Sequence, residues 1–560
     1  MLDDCRRLTG PSMVWDKPGA ILDILVEDLE LDAVLECWYR HIHAVLAQLD
    51  CGEPALSHRR FENGFNLLIE APLDQLYSAV LTLETAWYFC ACELLEVEVE
   101  EASVLIEELR QAMREEANPG LIDMQQAAQT HQVDFLADDE ILSIGRGAGS
   151  VSWDIEDIPA SGEVDWTSVR DVPVALITGT NGKSTSVRLL DAIARAAQQV
   201  SGVTSTDFVR VGDDVLDRGD YSGPGGARLL LRDKRLQVAF LEVARGGILR
   251  RGLPIKRATA ALVTNIARDH LGQYGVNTLK ALTEVKLVVR KTLAVDAVLV
   301  LNADDSNIVD YLDGIEAGEL CWFSLDKNNP LVQQQLAGNG RCCFAEAGEI
   351  VYHDGSQTHR ICQISDIPMT LDGAALHNVR NVLGAVGIAA AMNYSFDQIR
   401  QGLFSFHSDA QDNPGRLNSF DLDNGARVIV DFAHNAHSVE AVVDTVKRMP
   451  ARKRWAMFGS AGDRSDEEIA AIAKGVCALE PDYVVIVEIE NYLRGRAPGE
   501  VSELLRQACL DSGLKPLQMH FAGSPLAGAQ LTLTQMQAGD LGLLLVLDQR
   551  DQVFQAISEH

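Results

Sequence analysis

Residues 172–200 run from a buried-strand pattern straight into a glycine loop and then a helix, and few folds can hold that succession. Residues 172–178, VPVALIT, are a continuous apolar and β-branched run. That is the pattern of a strand covered on both faces within a parallel sheet. GTNGKST follows at once, and SVRLLDAIARAAQQV then takes up the helical period. Glycines let backbone N–H groups turn inward toward phosphate oxygens, and the helix presents its positive end to them. Gly179, Thr180, Asn181, Gly182, Lys183, Ser184 and Thr185 are therefore candidate phosphate-binding residues. Lys183 would reach the β- and γ-phosphates, and the Ser184 hydroxyl would ligate Mg2+. The common loop has a further glycine where this chain has Ile177, so the loop is a shortened variant.

The flanking sequence extends the same architecture. Further buried-strand candidates lie at 237–244, 258–266 and 296–302, with helical segments between several of them. Strands alternating with helices predict a doubly wound α/β unit. A second α/β unit starts near residue 415, with strands at 426–432, 454–460, 483–490 and 541–547 and helices at 437–448, 466–479 and 499–511. Upstream, residues 65–72 read as a strand and 73–95 as a long amphipathic helix. A charged helix follows and ends near Asn118-Pro119-Gly120, and short strand-like pieces occupy 141–170. The stretch 155–170 reads as a linker. At 560 residues the chain exceeds the roughly 250–300 that one core can serve. The expected division is an α+β domain over 1–165, a P-loop doubly wound central domain over 166–413 and a Rossmann-like α/β domain over 414–560.

Charge narrows the function classes. Lys plus Arg total 48 against 81 Asp plus Glu, a net charge of −33. Such a field repels phosphate backbones and anionic lipid, so neither nucleic acid nor membrane is an expected partner. No apolar run reaches the ~18 residues of a spanning helix, and MLDDCRRLTG lacks the apolar core of a signal peptide. The eleven cysteines are an odd number, and Cys90/Cys92 and Cys342/Cys343 have neither zinc-knuckle nor CxxC spacing. They read as reduced thiols of a cytoplasmic protein.

Four segments in order carry a family resemblance: TGTNGKST, ALVTNIARDHLG, LHNVRNVLGAVGIA, and GRLN followed by VIVDFAHN. Together they resemble the Mur ligase family of ATP-dependent amide-forming ligases. LEVARGGILRRGL, DNPGRLNSFDL, GSAGDRSDEEI and ENYLRGRAPGE are most similar to the Mur-ligase-like module of the cyanophycin synthetases. The resemblance spans about residues 172–558. A weaker one covers 65–94 and 122–149, the N-terminal region of the same group. Residue 172 then follows too soon for that group's ATP-grasp domain, so the expectation is a relative without that half.

The resemblance implies a chemistry and a site. Such ligases activate a carboxylate with ATP to an acyl phosphate, which an amine then attacks to give an amide, ADP and phosphate. By resemblance Glu242 is a Mg2+ ligand and His270 touches a second metal. Lys286 falls near a lysine that several members carbamylate; a plain surface lysine is the alternative, and the nearby Lys291 confuses the alignment. Asn378 and Asn381 would face the adenine, Arg416 the phosphates and Asp431 the ribose. His434 completes DFAHN, although Ala436 stands where the family usually has proline, which implies a softer turn. Asp463, Arg464, Glu490, Arg494 and Arg496 fall where relatives read the incoming amino acid. Arg494 and Arg496 could fork a carboxylate, while Glu488 and Glu490 could hold a cationic side chain. The expected partners are an arginine- or lysine-like amino acid and an acidic peptide or polymer acceptor, with self-assembly into a homo-oligomer. The competing readings are a ligase-derived nucleotide-binding regulator or scaffold, and a peptidoglycan- or folylpolyglutamate-type ligase.

Overall fold

The computed structural model describes residues 1–49, 52–99, 101–312 and 319–560. Its centre is an eleven-stranded sheet. Seven strands run parallel, in the spatial order Ser201–Thr204, Val238–Glu242, Val174–Thr178, Ala258–Val263, Leu293–Asn302, Glu319–Ser324 and Arg341–Glu346. Antiparallel strands close both edges: Phe208–Val211 and Asp214–Arg218 on one side, Glu349–Asp354 and Thr358–Gln363 on the other. Val174–Thr178 is buried along its whole length, as its unbroken apolar run requires. Apolar side chains cover it from both faces. The helices Lys183–Ala196 and Leu376–Ala391 pack on one side, and Pro224–Leu231 and Leu279–Lys286 on the other. The phosphate loop leaves the carboxyl end of this central strand, where open α/β sheets bind their ligands.

The C-terminal unit is a six-stranded sheet ordered Asn418–Asp421, Arg427–Asp431, Leu541–Leu545, Arg454–Phe458, Tyr483–Val487 and Met519–Ala522. All but the first pair are parallel. The strands read from the sequence here and in the central unit are present. Those not read include Asp214–Arg218, exposed at every position, and the largely buried Glu319–Ser324 and Glu349–Asp354.

The N-terminal region holds a four-stranded antiparallel sheet, ordered Leu2–Leu8, Gly19–Leu25, Gly64–Glu70 and Leu56–Phe61. The helices Leu31–Leu49 and Leu76–Leu94 cover one of its faces. A small meander of Phe135–Ala137, Ile141–Ile144 and Val151–Asp154 precedes the central unit. The break at Asn118-Pro119-Gly120 ends one helix and opens another. Asn118 Oδ1 accepts from Leu121 N at 3.0 Å and Pro119 takes the first position of Pro119–Thr130, where its missing N–H costs nothing. The ten cysteines among the described residues are all free. Among the described residues no helix is long and apolar enough to cross a membrane.

Candidate active site

The phosphate loop is braced by the strand end next to it. Thr180 N donates to Asn265 O at 2.8 Å, Asn181 N to Asn265 Oδ1 at 3.0 Å, and Thr264 Oγ1 to Asn181 O at 2.7 Å. Only glycine fits at two positions. Gly179 (φ +142°) would place a Cβ 1.9 Å from Thr264 Oγ1, and Gly182 (φ +88°) would place one 2.2 Å from Asn381 Oδ1. Lys183 Nζ donates back to Thr180 O at 2.9 Å. Ser184 Oγ lies 3.3 Å from Thr206 Oγ1.

Glu242 ends the strand beside the loop's own strand, in register with Ile177. Its side chain is buried. Oε2 accepts weakly from Thr206 N at 3.4 Å, and Oε1 has no hydrogen-bond partner among the described residues. Burial pushes this carboxyl up, and Lys183 opposes the shift. A buried carboxylate oxygen left unpaired is costly unless a cation meets it. The residue types and placement suit Mg2+, which takes hard oxygen ligands and keeps several waters.

Lys286 is not a surface lysine. It is buried, and Nζ donates to Gly179 O at 2.7 Å under the loop. Burial, then the neighbouring Lys183, pushes its ammonium well below the usual lysine range. Lys291 lies elsewhere, bonded to Ser12 O and Asp16 at 2.8 Å each.

His270 is partly exposed and takes a left-handed backbone (φ +50°). Its neighbour Asp269, which the sequence did not single out, is the hub of this side. Asp269 accepts from Arg464 at 3.0 Å and lies 3.9 Å from His270 Nε2 and 4.0 Å from His434 Nε2. Burial opposes its ionisation but is outweighed by His434, His270 and Arg464, so its carboxyl stays well below the usual range. Burial also pushes His434 down to about 4, so at neutral pH the lasting cation beside Asp269 is Arg464. His434 Nδ1 sits 2.9 Å from Phe432 O, which fits the Nδ1–H tautomer.

On the other side, Asn378 and Asn381 share one face of Leu376–Ala391. Asn378 Nδ2 donates to Met369 O at 2.8 Å, Asn381 Nδ2 to Asn378 Oδ1 at 3.3 Å, and Asn381 abuts Gly182. Arg416 lies 4.6 Å over the Phe432 ring and has no carboxylate partner among the described residues. Asp431 is buried, and its oxygens accept from Leu417 N at 2.8 Å and Ala433 N at 2.7 Å. Burial pushes it up to about 6. It braces the linker, so a ribose hydroxyl would have to share those oxygens. The softer turn implied by Ala436 is absent. Asn435 and Ser438 form a reciprocal cap, and Ala436 opens the helix Ala436–Lys447.

Among the described residues, three hydrogen-bonded contacts stand out between the central unit and the C-terminal one. The amides of Asn181 and Asn435 bond reciprocally at 3.2 and 3.0 Å, with His437 Nδ1 3.0 Å from Asn181 Nδ2. Arg464 reaches Asp269. Arg550 donates to Asp207 at 2.7 Å, and Asp207 also pairs with the fully buried Arg188. Burial opposes the charge on Asp207, but Arg188, Arg416 and Arg550 together bring it down to about 2. A depressed carboxyl stabilises the fold above its unfolded pKa, near 4, and that stability is lost as pH falls toward 2. Asp207→Asn is expected to cost at least about 2 kcal/mol at pH 7. The gap in melting temperature from the parent should narrow between pH 5 and pH 3. An equal gap at both would show that the charge contributes nothing.

The loop at 488–500 does not form the arginine fork. Arg496 is spent on the fold: it donates to Gly462 O at 2.9 Å and Arg464 O at 2.8 Å, and pairs with Asp466 and Glu500 at 2.7 Å each. Arg494 turns away to Asp463 at 3.0 Å. Glu488 accepts from Gly499 N at 2.5 Å, and Glu490 is exposed. Arg464, buried on Asp269, faces the cleft between units rather than the loop.

Residues 177–389 match the Mur ligase middle domain, and residues 415–545 match the Mur ligase, glutamate ligase domain. The chain is 37% identical over 334 residues to a cyanophycin synthetase of Nostoc sp., which covers 60% of this chain but 37% of that protein. It is 28% identical over 300 residues to a UDP-N-acetylmuramoyl-L-alanyl-D-glutamate–2,6-diaminopimelate ligase of Geobacter metallireducens, over 52% of this chain and 55% of that one. The chain thus spans little more than a third of the cyanophycin synthetase it matches. E. coli FolC in complex with DHPP and ADP shares the fold, with a TM-score of 0.52 at 20% identity over 69% of this chain and 89% of that one. With both catalytic-region domains matched in order over more than half its length, the chain belongs to the Mur ligase family.

Proposed function

We propose that the chain is an ATP-dependent carboxylate–amine ligase that joins a cationic amino acid, arginine- or lysine-like, to an acidic acceptor. The observation that carries this reading is the unpaired, buried Glu242 Oε1 beside Ser184 and under the phosphate loop. ATP and a divalent cation suit that pocket. Ser184 and Glu242 would hold the cation next to the phosphates, with His270 on the acceptor side, and when bound it supplies neutralising charge. Lys183 exchanges Thr180 O for the β- and γ-phosphates, and Arg416, which forms no ion pair among the described residues, reaches the same phosphates from the linker. Asn378 and Asn381 line the adenine side.

In the reaction, an acceptor carboxylate oxygen bonds to the γ-phosphorus and the bond to ADP breaks. The amine then bonds to the acyl carbon, phosphate leaves and the amine gives up a proton. Positioning two anions together is the main barrier, and fixed cations and N–H groups lower it. Lys286 fits a carbamate role. Burial lowers the cost of deprotonating Lys286, and its free amine would add to CO2, forming the N–C bond and releasing a proton, so that the product carboxylate replaces a cation with an oxygen ligand.

The amine side rests on charge. Around the 488–500 loop Arg494 and Arg496 are both paired with carboxylates and Glu488 accepts from Gly499 N, while Glu490 is exposed, so the charge open to a donor there is acidic. The test is mass spectrometry of products after incubation with ATP, an aspartyl peptide and each amino acid in turn. A new amide with arginine or lysine is the expected result. A product built only with acidic or apolar amino acids would end the donor assignment and leave the ligase reading standing.

A further inference from the structure

The segment after Asp269 is unusually bent. His270, Gly272, Tyr274 and Gly275 all take left-handed backbone within six residues, at φ +50°, +92°, +56° and +69°. Two of the four carry side chains, which resist that conformation. Two internal bonds, Gly272 N to Val276 O at 3.0 Å and Val276 N to Gln273 O at 3.1 Å, tie the segment to itself across the bend. The remaining restraint comes from outside. Arg245 donates to His270 O and to Gln273 Oε1, both at 2.6 Å.

The other grip belongs to the N-terminal sheet. Along the strand 64–70, Phe65, Leu67 and Ile69 face the covering helices, so Asn66 and Leu68 face the central unit. Asp23, Asn66 and Arg59 are register partners on three adjacent strands, which puts their side chains in one row on that face. The row is continuously bonded. Arg59 donates to Asn66 Oδ1 at 3.0 Å, Asn66 to Asp23 Oδ1 at 2.6 Å, and Arg6 to Asp23 Oδ2 at 2.5 Å. Arg6, Asp23 and Asn66 are all buried. Both ends of the row then leave the sheet. At one end Arg59 donates to Gly275 O at 3.1 Å, and Phe61 lies directly against Gly275. At the other, Arg6 donates to Leu249 O at 3.0 Å and stacks 4.6 Å over the Tyr274 ring. Leu249 belongs to the helix Arg245–Arg251, which carries the arginine holding His270 O.

We propose that this row makes the N-terminal sheet a positioning element for the His270 loop, with Arg59 and Arg6 as positioning residues that set how well the site holds its divalent cation. The proposal rests on the reading that His270 faces that cation. Simple glue between units would need no convergence on a single loop. Here two arginines from different strands, linked through one buried row, meet the same loop at the adjacent residues Tyr274 and Gly275.

The test uses the full chain and Mn2+ binding in the presence of ADP, read by electron paramagnetic resonance. Arg59→Met removes both bonds from a half-buried position, Arg59→Lys keeps the charge but loses the fork, and Arg60→Met is the control. Arg60 is exposed and, among the described residues, pairs with Asp32. Arg59→Met is expected to bind Mn2+ about tenfold more weakly, with faster amide exchange at 269–276 and a melting temperature near the parent's. Arg59→Lys should fall between, and Arg60→Met should match the parent. Mn2+ binding unchanged in Arg59→Met overturns the proposal alone. A parent chain that binds no Mn2+ with ADP overturns both the cation reading and the proposal built on it.

Discussion

ADP release by Lys183→Ala falls by roughly a hundred- to a thousandfold, the usual effect of removing one preorganised partner of transition-state charge. The fold does not change, because the ammonium makes one described hydrogen bond, to Thr180 O in its own loop. Losing one half-buried bond of this kind costs about 1 kcal/mol. Melting temperature and circular dichroism should therefore stay close to the parent while turnover disappears. Turnover within a few-fold of the parent would falsify the nucleotide role of this loop.

Glu242→Gln separates function from stability in the opposite sense. The amide keeps the shape but not the charge, so turnover should be lost or should require far more metal, and EDTA should silence the parent in the same way. Stability should rise at pH 7. Burial raises the folded pKa of Glu242 above its unfolded value near 4.5. Its contribution is therefore most favourable below 4.5 and is lost as pH rises through the folded pKa. Replacing it removes that loss, so the variant should melt higher than the parent at pH 7 and level with it near pH 4. A variant that melts lower at pH 7 and still turns over would remove Glu242 from the cation site.

Much of this arrangement was legible in the sequence for a plain reason. A strand covered on both faces, such as Val174–Thr178 or Leu541–Leu545, must be apolar throughout, and such runs stand out against any background. The loop glycines are equally visible, because backbone geometry demands them. Edge strands carry no such signature: Asp214–Arg218 is exposed at every position and looks like a polar turn. Long-range charge pairs are invisible as well. Arg550 and Asp207 lie 343 residues apart, and neither sits in a motif. Asp269 lies within ALVTNIARDHLG, where the adjacent His270 carries the stronger ligand signal. Arg496 shows the reverse error, since its charge suggested a substrate while its planar fork was needed to close its own loop. Asn66 did leave a signal, an amide in the middle of an apolar strand, and the buried row explains why it is there.

The reciprocal amide pair between Asn181 and Asn435 makes one residue serve two masters. Asn181 belongs to the loop proposed to wrap phosphate, and it also fastens the C-terminal unit. Linkage then applies in both directions: whatever free energy the arriving nucleotide withdraws from that fastening, the docked C-terminal unit withdraws from nucleotide affinity. If a bound nucleotide draws on the Asn181–Asn435 pair, a probe of interdomain distance should titrate with ADP at the midpoint of ADP binding itself.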